Sequence, residues 1–218
     1  DRKSTKISAT LKDMSANEFK EFNNEVLGYL RQNNLENMIS EPSSFRVIFT
    51  YMVEAIVNSL LYGLFIGILL ITLIIGLFFR SYLLPALSIF PNILPIGMGF
   101  GLWGLFVGDV GFMVAVGMGS TLGVIIDFTV HFLSKYELAR KEFKKSVEES
   151  VIYSFETVGF ALIIMTVVLA LGFSVLNLVT FIPIQDFAKF SVICFIGGLI
   201  INFLFLPNLL MKFDKRKF

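Results

Sequence analysis

Five long apolar segments follow one another in this 218-residue chain, and they constrain its fold more than any other feature. The first reads AIVNSLLYGLFIGILLITLIIGLFF and carries no charged residue. A helix needs roughly 20 apolar residues to cross a bilayer core about 30 Å thick. We therefore predict spans at about 55–79, 84–106, 112–134, 155–177 and 187–210. Since 56% of all residues are hydrophobic, the chain is predicted to be a mainly α, polytopic membrane protein with a five-helix transmembrane bundle.

The second span contains three prolines, and each removes a helical hydrogen-bond donor. Pro85, Pro91 and Pro95 are therefore expected to bend this span.

Basic residues are concentrated in alternate loops, which predicts the orientation of the spans. The loops VGDVG and VTFIPIQD contain neither Lys nor Arg. Because cytoplasmic loops carry an excess of Lys and Arg, the C-terminus is predicted to be cytoplasmic and the N-terminal segment extracytoplasmic. The basic residues of the other loops and of the tail are Arg80, Lys135, Arg140, Lys141, Lys144, Lys145, Lys212, Lys215, Arg216 and Lys217.

Residues 1–50 are predicted to be a short extracytoplasmic α+β piece followed by a lead-in helix. The segment TKISATL alternates apolar and polar residues as a strand does, and Ser15 with Glu18 forms a candidate capping box for a following helix. One strand and one helix do not bury a core alone, and no export signal precedes them. We therefore expect this piece to end a larger domain, and the chain to be a fragment. Residues 51–212 would form the transmembrane bundle, and 213–218 a short cytoplasmic tail.

The stretch KYELARKEFKKSVEESV mixes basic and acidic residues between the third and fourth spans. This pattern predicts an amphipathic cytoplasmic connector over 135–153 that lies along the membrane. A solvated connector and a partner-binding helix are both compatible with it.

The third span, within GMGSTLGVIIDFTVHFLSKY, contains an acid and a histidine. A charged side chain at a helix centre costs roughly 2.5 to 3.5 kcal/mol on insertion scales, and intramembrane acids commonly mark ion pathways. His131 is four residues after Asp127, on the same helix face and nearer the cytoplasm. The pair is a candidate proton relay. Alternatively, Asp127 makes a structural hydrogen bond to a neighbouring helix, and His131 is an interfacial anchor.

Small residues precede Asp127 in the same helix. Gly119 and Gly123 have GxxxG spacing, with Gly117 and Ser120 beside them, which predicts close helix packing around the relay. Thr166 in the fourth span is a further candidate member of the relay, although helical hydroxyls commonly bond back to their own backbone.

The sequence offers no constellation for covalent chemistry. It has one His, one Cys and neither an HExxH nor a GxSxG motif. Cys194 is predicted to be a small buried side chain. We therefore predict no enzyme activity, no catalytic residues, no cofactor, no metal site and no nucleic-acid partner.

With these motifs in this order, the chain resembles the C-terminal half of an RND-superfamily transporter of the MmpL-like predicted exporter branch. The resemblance covers essentially the whole chain and is carried by FFRS after the first span, PNILPI in the second and GVIIDFTVHFLSKY in the third. It implies that residues 1–50 end the second porter domain and that the spans are the last five of twelve. It also implies a multi-pass protein of a bacterial-type cytoplasmic (inner) membrane.

The function implied by the resemblance is proton-driven export of a hydrophobic or lipidic substrate, with Asp127 as the proton-carrying acid. The implied partners are the N-terminal half of the transporter, fused or separate, together with lipids, the substrate, and possible outer adaptor proteins or further copies of the chain. The family's motif often follows this Asp with a second Asp or a Tyr, whereas Phe128 stands here. Two other classes stay open, a sterol-sensing-like domain that binds or relays a lipid and an accessory or scaffold subunit.

Overall fold

The computed structural model describes residues 10–12, 16–33, 35, 45–108 and 110–216, and the regular structure in these ranges is helical, with no strand. This confirms a mainly α fold. The α-helices are α1 Ala16–Gln32, α2 Phe45–Phe79, α3 Leu83–Phe106, α4 Phe112–Lys141, α5 Val147–Ser154, α6 Phe160–Val175 and α7 Ile182–Phe213.

Five helices are long and apolar enough to cross a membrane, which confirms a polytopic membrane protein. They cover Val47–Phe79, Leu83–Phe106, Phe112–Lys141, Val147–Leu178 and Ile182–Phe213, and each predicted span lies within one of them. The fourth is composite, because a π-helical turn at Phe155–Gly159 joins α5 to α6 and a 3-10 turn at Leu176–Leu178 follows.

The chain divides into two compact units, one up to Ala55 and one from Ile56 onward. In the first unit, the ammonium group of Lys20 in α1 lies 2.7 and 2.8 Å from the two carboxylate oxygens of Glu54 in α2. Most of the strand predicted over residues 5–11, and its neighbour Ser15, lie outside the described ranges. The predicted lead-in joins the first span in one helix, since α2 runs unbroken from Phe45 to Phe79.

In the second unit, α3, α4 and α7 form the centre of the bundle. In each of these helices about half of the most apolar 18-residue segment is buried, compared with 6% in the first span and 22% in the fourth. The first span contacts the core through one stripe at helical spacing, and its remaining faces are open to the surroundings. That stripe consists of Leu60, Leu64, Ile68, Ile71, Ile75 and Phe79.

Glycines allow α7 to approach α3 and α4 closely. A Cβ atom added at Gly99 would lie 2.6 Å from the sulfur of Cys194, and one at Gly198 would lie 2.9 Å from Cγ1 of Ile125. Neither contact leaves room for a methyl group without movement. Cys194 is itself fully buried, in agreement with its predicted role as a small core side chain.

The prolines of the second span are accommodated within one helix. Pro85 lies in the first turn of α3, where a missing N–H has no intrahelical partner to lose. Pro91 and Pro95 lie inside the helix and are buried, so the predicted loss of helical donors applies to these two.

At one end of the bundle α2, α4 and α7 end while α3 and α5 begin, and we call this end, which carries the basic loops, the basic end. The single connector helix predicted over 135–153 is divided here, because α4 continues to Lys141 and Lys144 adopts a positive φ of 52°. Ser146 then begins α5 with a capping box, in which its hydroxyl accepts from the backbone of Glu149 and the Glu149 carboxylate accepts from the backbone of Ser146.

Candidate functional site

Asp127 lies at the middle of α4. It is 15 residues after Phe112 and 14 before Lys141, because 127 − 112 = 15 and 141 − 127 = 14. With a rise of about 1.5 Å per residue, the carboxyl group is about 20 Å from either end of the helix. Asp127 therefore lies far from both ends of the helix.

Five of the predicted site residues lie along one side of α4 that the other described helices leave uncovered. We call this side the open face. Within the described bundle, no atom of another helix lies within 4 Å of the position that a Cβ would take at Gly119 or Gly123. The open face consists of Gly119, Ser120, Gly123, Asp127 and His131, all of them exposed.

Asp127 and His131 lie one helical turn apart, about 6 Å along the axis, with His131 nearer the basic end. Among the residues that the structure describes, no side chain forms a hydrogen bond or ion pair with either of them. The described bundle thus contains no hydrogen-bonding group that would compensate a charge on Asp127.

The remaining two predicted residues lie elsewhere. Gly117 is buried against α7, where an added Cβ would lie 3.1 Å from the ring of Phe190 and 3.3 Å from that of Phe187. Thr166 is buried in α6, and its hydroxyl donates a 2.8 Å hydrogen bond to the carbonyl of Leu162 in its own helix. The structure therefore does not bring Thr166 into hydrogen bonding with Asp127.

Phe128, which stands where the resemblance leads one to expect an acid or a tyrosine, faces the interior. It is fully buried and packs with Val158 and Leu162 of the fourth span. This position lies about 100° around α4 from Asp127, and its side chain is not part of the open face.

A buried polar cluster that the sequence pattern did not predict lies on the inner side of α4, and we call it the polar triad: Asn92 of α3, Thr129 of α4 and Asn202 of α7. The hydroxyl of Thr129 lies 2.7 Å from Oδ1 of Asn92 and 2.8 Å from Oδ1 of Asn202. All three are at most 4% exposed. An asparagine inside an apolar span is the signal that could have found it, because unpaired amides are costly in a bilayer.

A second buried polar cluster occupies the basic end, and we call it the tail clamp: Tyr136, Glu137 and Arg140 of α4 with Asp214 and Arg216 beyond α7. The Tyr136 hydroxyl donates to Asp214 Oδ2 at 2.6 Å. The Arg216 guanidinium donates to both Glu137 carboxylate oxygens at 3.0 and 2.9 Å and to Asp214 at 2.8 Å. Arg140 donates to the backbone carbonyl of Arg216.

The hydrogen bonds of the tail clamp favour the charged forms of Asp214 and Arg216. Burial alone would raise the pKa of Asp214, but the hydrogen bonds from Arg216 and Tyr136 outweigh it and lower the pKa to about 2. Burial tends to lower the pKa of the Arg216 guanidinium, yet its bonds to Asp214 and Glu137 raise that pKa above its ordinary value. Both groups therefore stay ionised across the physiological range.

The clamp also reaches the end of the first span. Lys141 donates to the backbone carbonyl of Phe79 at 2.8 Å and lies 2.9 Å from a carboxylate oxygen of Glu137. The ends of α2 and α4 and the chain beyond α7 are thus joined by one network of charged groups. The tail predicted over 213–218 is held in place as far as Arg216, the last described residue.

In the part of the chain that the structure describes, no three His, Cys, Asp or Glu side chains come together as a candidate metal site. No protein-family model matches the chain, and comparison with curated proteins found no match. The helices by themselves define a multi-pass membrane protein. The open face, the polar triad and the tail clamp are the features of the bundle that bear on its function.

Proposed function

We propose that this chain is half of a proton-coupled transporter, related to the MmpL-like branch of the RND superfamily, in which Asp127 carries the proton. The observation that carries the proposal is the exposure of Asp127 on the open face, halfway along a membrane-spanning helix. An uncompensated charge costs roughly 2.5 to 3.5 kcal/mol at that depth, so such acids face protein or water rather than lipid.

The composition of the open face supports a second bundle as its cover. Gly119, Ser120 and Gly123 lie in the turns before Asp127 and leave space for a close approach by another helix. The partner that the proposal requires is the N-terminal half of the transporter, fused or separate. It would supply the group that hydrogen-bonds to Asp127, because Phe128 faces the interior of the described bundle.

Proton transfer along α4 would run from the outer side, through Asp127, and past His131 toward the basic end. We assign the basic end to the cytoplasm because Lys and Arg are concentrated there. Protonation would neutralise Asp127 and allow the two bundles to shift, and release toward His131 would restore the charge. One proton moving down 100 mV supplies about 2.3 kcal/mol, enough to bias a conformational equilibrium by tens of fold.

The direction of transport and the hydrophobic or lipidic nature of the substrate come from the resemblance. The broadly exposed apolar surfaces of the first and fourth spans are compatible with it, since such surfaces contact lipid tails. The bacterial-type inner membrane belongs to the same proposal.

The first test is Asp127→Asn in the full-length protein, with export driven by an imposed proton gradient as the measurement. We expect loss of coupled export at a normal level of membrane insertion. The matched control is Glu142→Gln, the same change from acid to amide just beyond α4, and it should export normally. Full export by Asp127→Asn would refute the proposal and favour a lipid-sensing or scaffold role.

A second test asks whether the open face is covered. Gly123→Leu fills the open face, whereas Gly101→Leu adds the same side chain to α3 at a position with no atom within 4 Å of the added Cβ. We expect Gly123→Leu to abolish export and Gly101→Leu to preserve it. Normal export by both variants would mean that no protein surface packs against the open face.

A further inference from the structure

We infer that the polar triad is a positioning network, which fixes the rotation of α4 about its own axis and so keeps Asp127 on the open face. The inference rests on the proposed function for its consequence in transport. Its structural part depends only on the three helices that meet at Thr129.

The hydrogen bonds of the triad can be assigned from its donors and acceptors. A hydroxyl carries one proton, so Thr129 can donate to only one of the two Asn oxygens that lie 2.7 and 2.8 Å away. The amide nitrogen of Asn202 donates to the carbonyl of Gly198 at 3.0 Å, which holds the oxygen of Asn202 toward Thr129.

Asn92 is therefore the amide that turns. A rotation of its amide group exchanges oxygen and nitrogen without changing its shape. The triad then reads as a directed chain, in which Asn92 donates to Thr129, Thr129 donates to Asn202, and Asn202 donates to Gly198. Each step joins two different helices except the last, which lies within α7.

The triad controls Asp127 through helical geometry. Residues two apart on an α-helix are about 200° apart around its axis, so Asp127 points away from the bundle whenever Thr129 points into it. Two nearby residues agree with this arrangement, since Phe128 is fully buried and His131 is exposed.

A polar network adds to the rotational preference that the close contacts of Gly117 and Ile125 with α7 already supply. Leu, Ile and Phe side chains meet lipid tails and other helices with similar free energy, so apolar character alone does not select one rotation of α4. A rotation that pulls Thr129 out of the triad leaves buried amide groups of α3 and α7 without partners, and unpaired buried amides are costly. One buried polar cluster can thus set the register of a helix.

The test uses the full-length protein in its membrane, with Asp127→Cys as the reporter of this position and a membrane-permeant maleimide as the reagent. The measurement is the rate of labelling at residue 127, read by mass spectrometry. Thr129→Val removes the hydroxyl at constant shape, and Thr129→Ser keeps it. The matched control is Thr72→Val, because the hydroxyl of Thr72 bonds to the carbonyl of Ile68 in its own helix.

We expect Thr129→Val to slow the labelling about threefold or more, because a turn of α4 carries position 127 from the open face toward closely packed neighbours. Thr129→Ser and Thr72→Val should keep the labelling rate of the Asp127→Cys reporter alone. If Thr129→Val reduces insertion, Asn92→Leu, which removes the donor of the triad, takes its place with the same expectation.

An unchanged or faster labelling rate in an inserted Thr129→Val or Asn92→Leu protein would overturn the positioning role, as would an equal slowing in Thr129→Ser. The proposed function fails separately, through normal export by Asp127→Asn. Slower labelling in Thr129→Val together with normal export by Asp127→Asn would support the positioning network and refute the transporter.

Discussion

The hydroxyl of Tyr136 donates a 2.6 Å hydrogen bond to Oδ2 of Asp214, and this bond ties the end of the chain to α4 across 78 positions of sequence. Tyr136 is fully buried and Asp214 nearly so. A carboxylate at this position has to be fully hydrogen-bonded, because burial of an unpaired charge costs several kcal/mol. Arg216 supplies the additional bonds, since its backbone N–H and Nε donate to Oδ1 of Asp214 and its Nη2 donates to Oδ2.

Asp214→Asn should destabilise the bundle. The substitution removes one of the anionic partners of the buried Arg216–Asp214–Glu137 network, and we expect the free energy of unfolding to fall by about 3 kcal/mol. Detergent-titrated unfolding of the purified full-length protein measures it. Asp186→Asn is the control, because Asp186 lies 3.9 Å from Lys189 in a partly exposed pair that should contribute less than about 1 kcal/mol. Equal losses in the two variants would contradict a special role for the clamp.

The clamp also predicts a dependence of stability on acid pH. The pKa of Asp214 is about 2 in the folded protein, below its ordinary value of 3.8. The unfolded chain therefore binds the proton more readily, and the stabilisation is fully present above pH 4 and lost as the pH falls toward 2. It amounts to about 2 kcal/mol.

This pH dependence should disappear in Asp214→Asn. Unfolding of the wild type and of the variant at a series of pH values between 5 and 2 isolates the contribution, since the other acids are common to both. A constant difference between the two curves would show that Asp214 has the same pKa in the folded and unfolded states.

Gly99→Ala should destabilise the contact between α3 and α7. The new methyl group would lie 2.6 Å from the sulfur of Cys194 and 3.3 Å from the ring of Phe190, and we expect a loss of about 1 to 3 kcal/mol. Gly101→Ala in the same helix is the control, because nothing lies within 4 Å there and Ala is the better helix former. The double variant Gly99→Ala with Cys194→Ala should recover part of the loss, and an absence of recovery would contradict the proposed clash.

His131→Gln tests the path that we propose between Asp127 and the basic end. The change removes the titratable ring but keeps a polar side chain on the open face, so coupled export should slow less than in Asp127→Asn. The measurement is the initial rate of export at several imposed pH gradients. A loss as complete as that of Asp127→Asn would mean that His131 is as essential as the acid, and wild-type rates would remove it from the path.

The pattern of residues along α4 predicted much of the candidate site. The four-residue spacing of Gly119, Gly123, Asp127 and His131 predicted that they share a helix face, and the structure shows them on one face. The prediction could not say whether that face is covered, because its neighbours belong to other helices or to another polypeptide. Thr166 illustrates the limit, since the sequence allowed both a place in the relay and a bond back to its own helix, and the structure shows the bond to its own helix.

The sequence pattern did not predict the polar triad or the tail clamp, for a related reason. Asn92 and Asn202 are 110 residues apart, since 202 − 92 = 110, and the residues around one do not indicate a contact with the other. Asp214 stands among basic residues in what reads as a solvated tail, and its burial follows only from the return of the chain to Tyr136.

The sequence by itself determined the number and order of the membrane helices and the apolar segment that each contains. In a bilayer each backbone donor and acceptor must be satisfied within the protein, so long apolar segments have to become helices. The tertiary structure alone decided which side of each helix is inside. Lipid tails are as apolar as a protein core, so residues that face lipid and residues that face the bundle look alike in sequence. Polar contacts such as that of Thr129 with Asn202 make the distinction, and they exist only once three helices have come together.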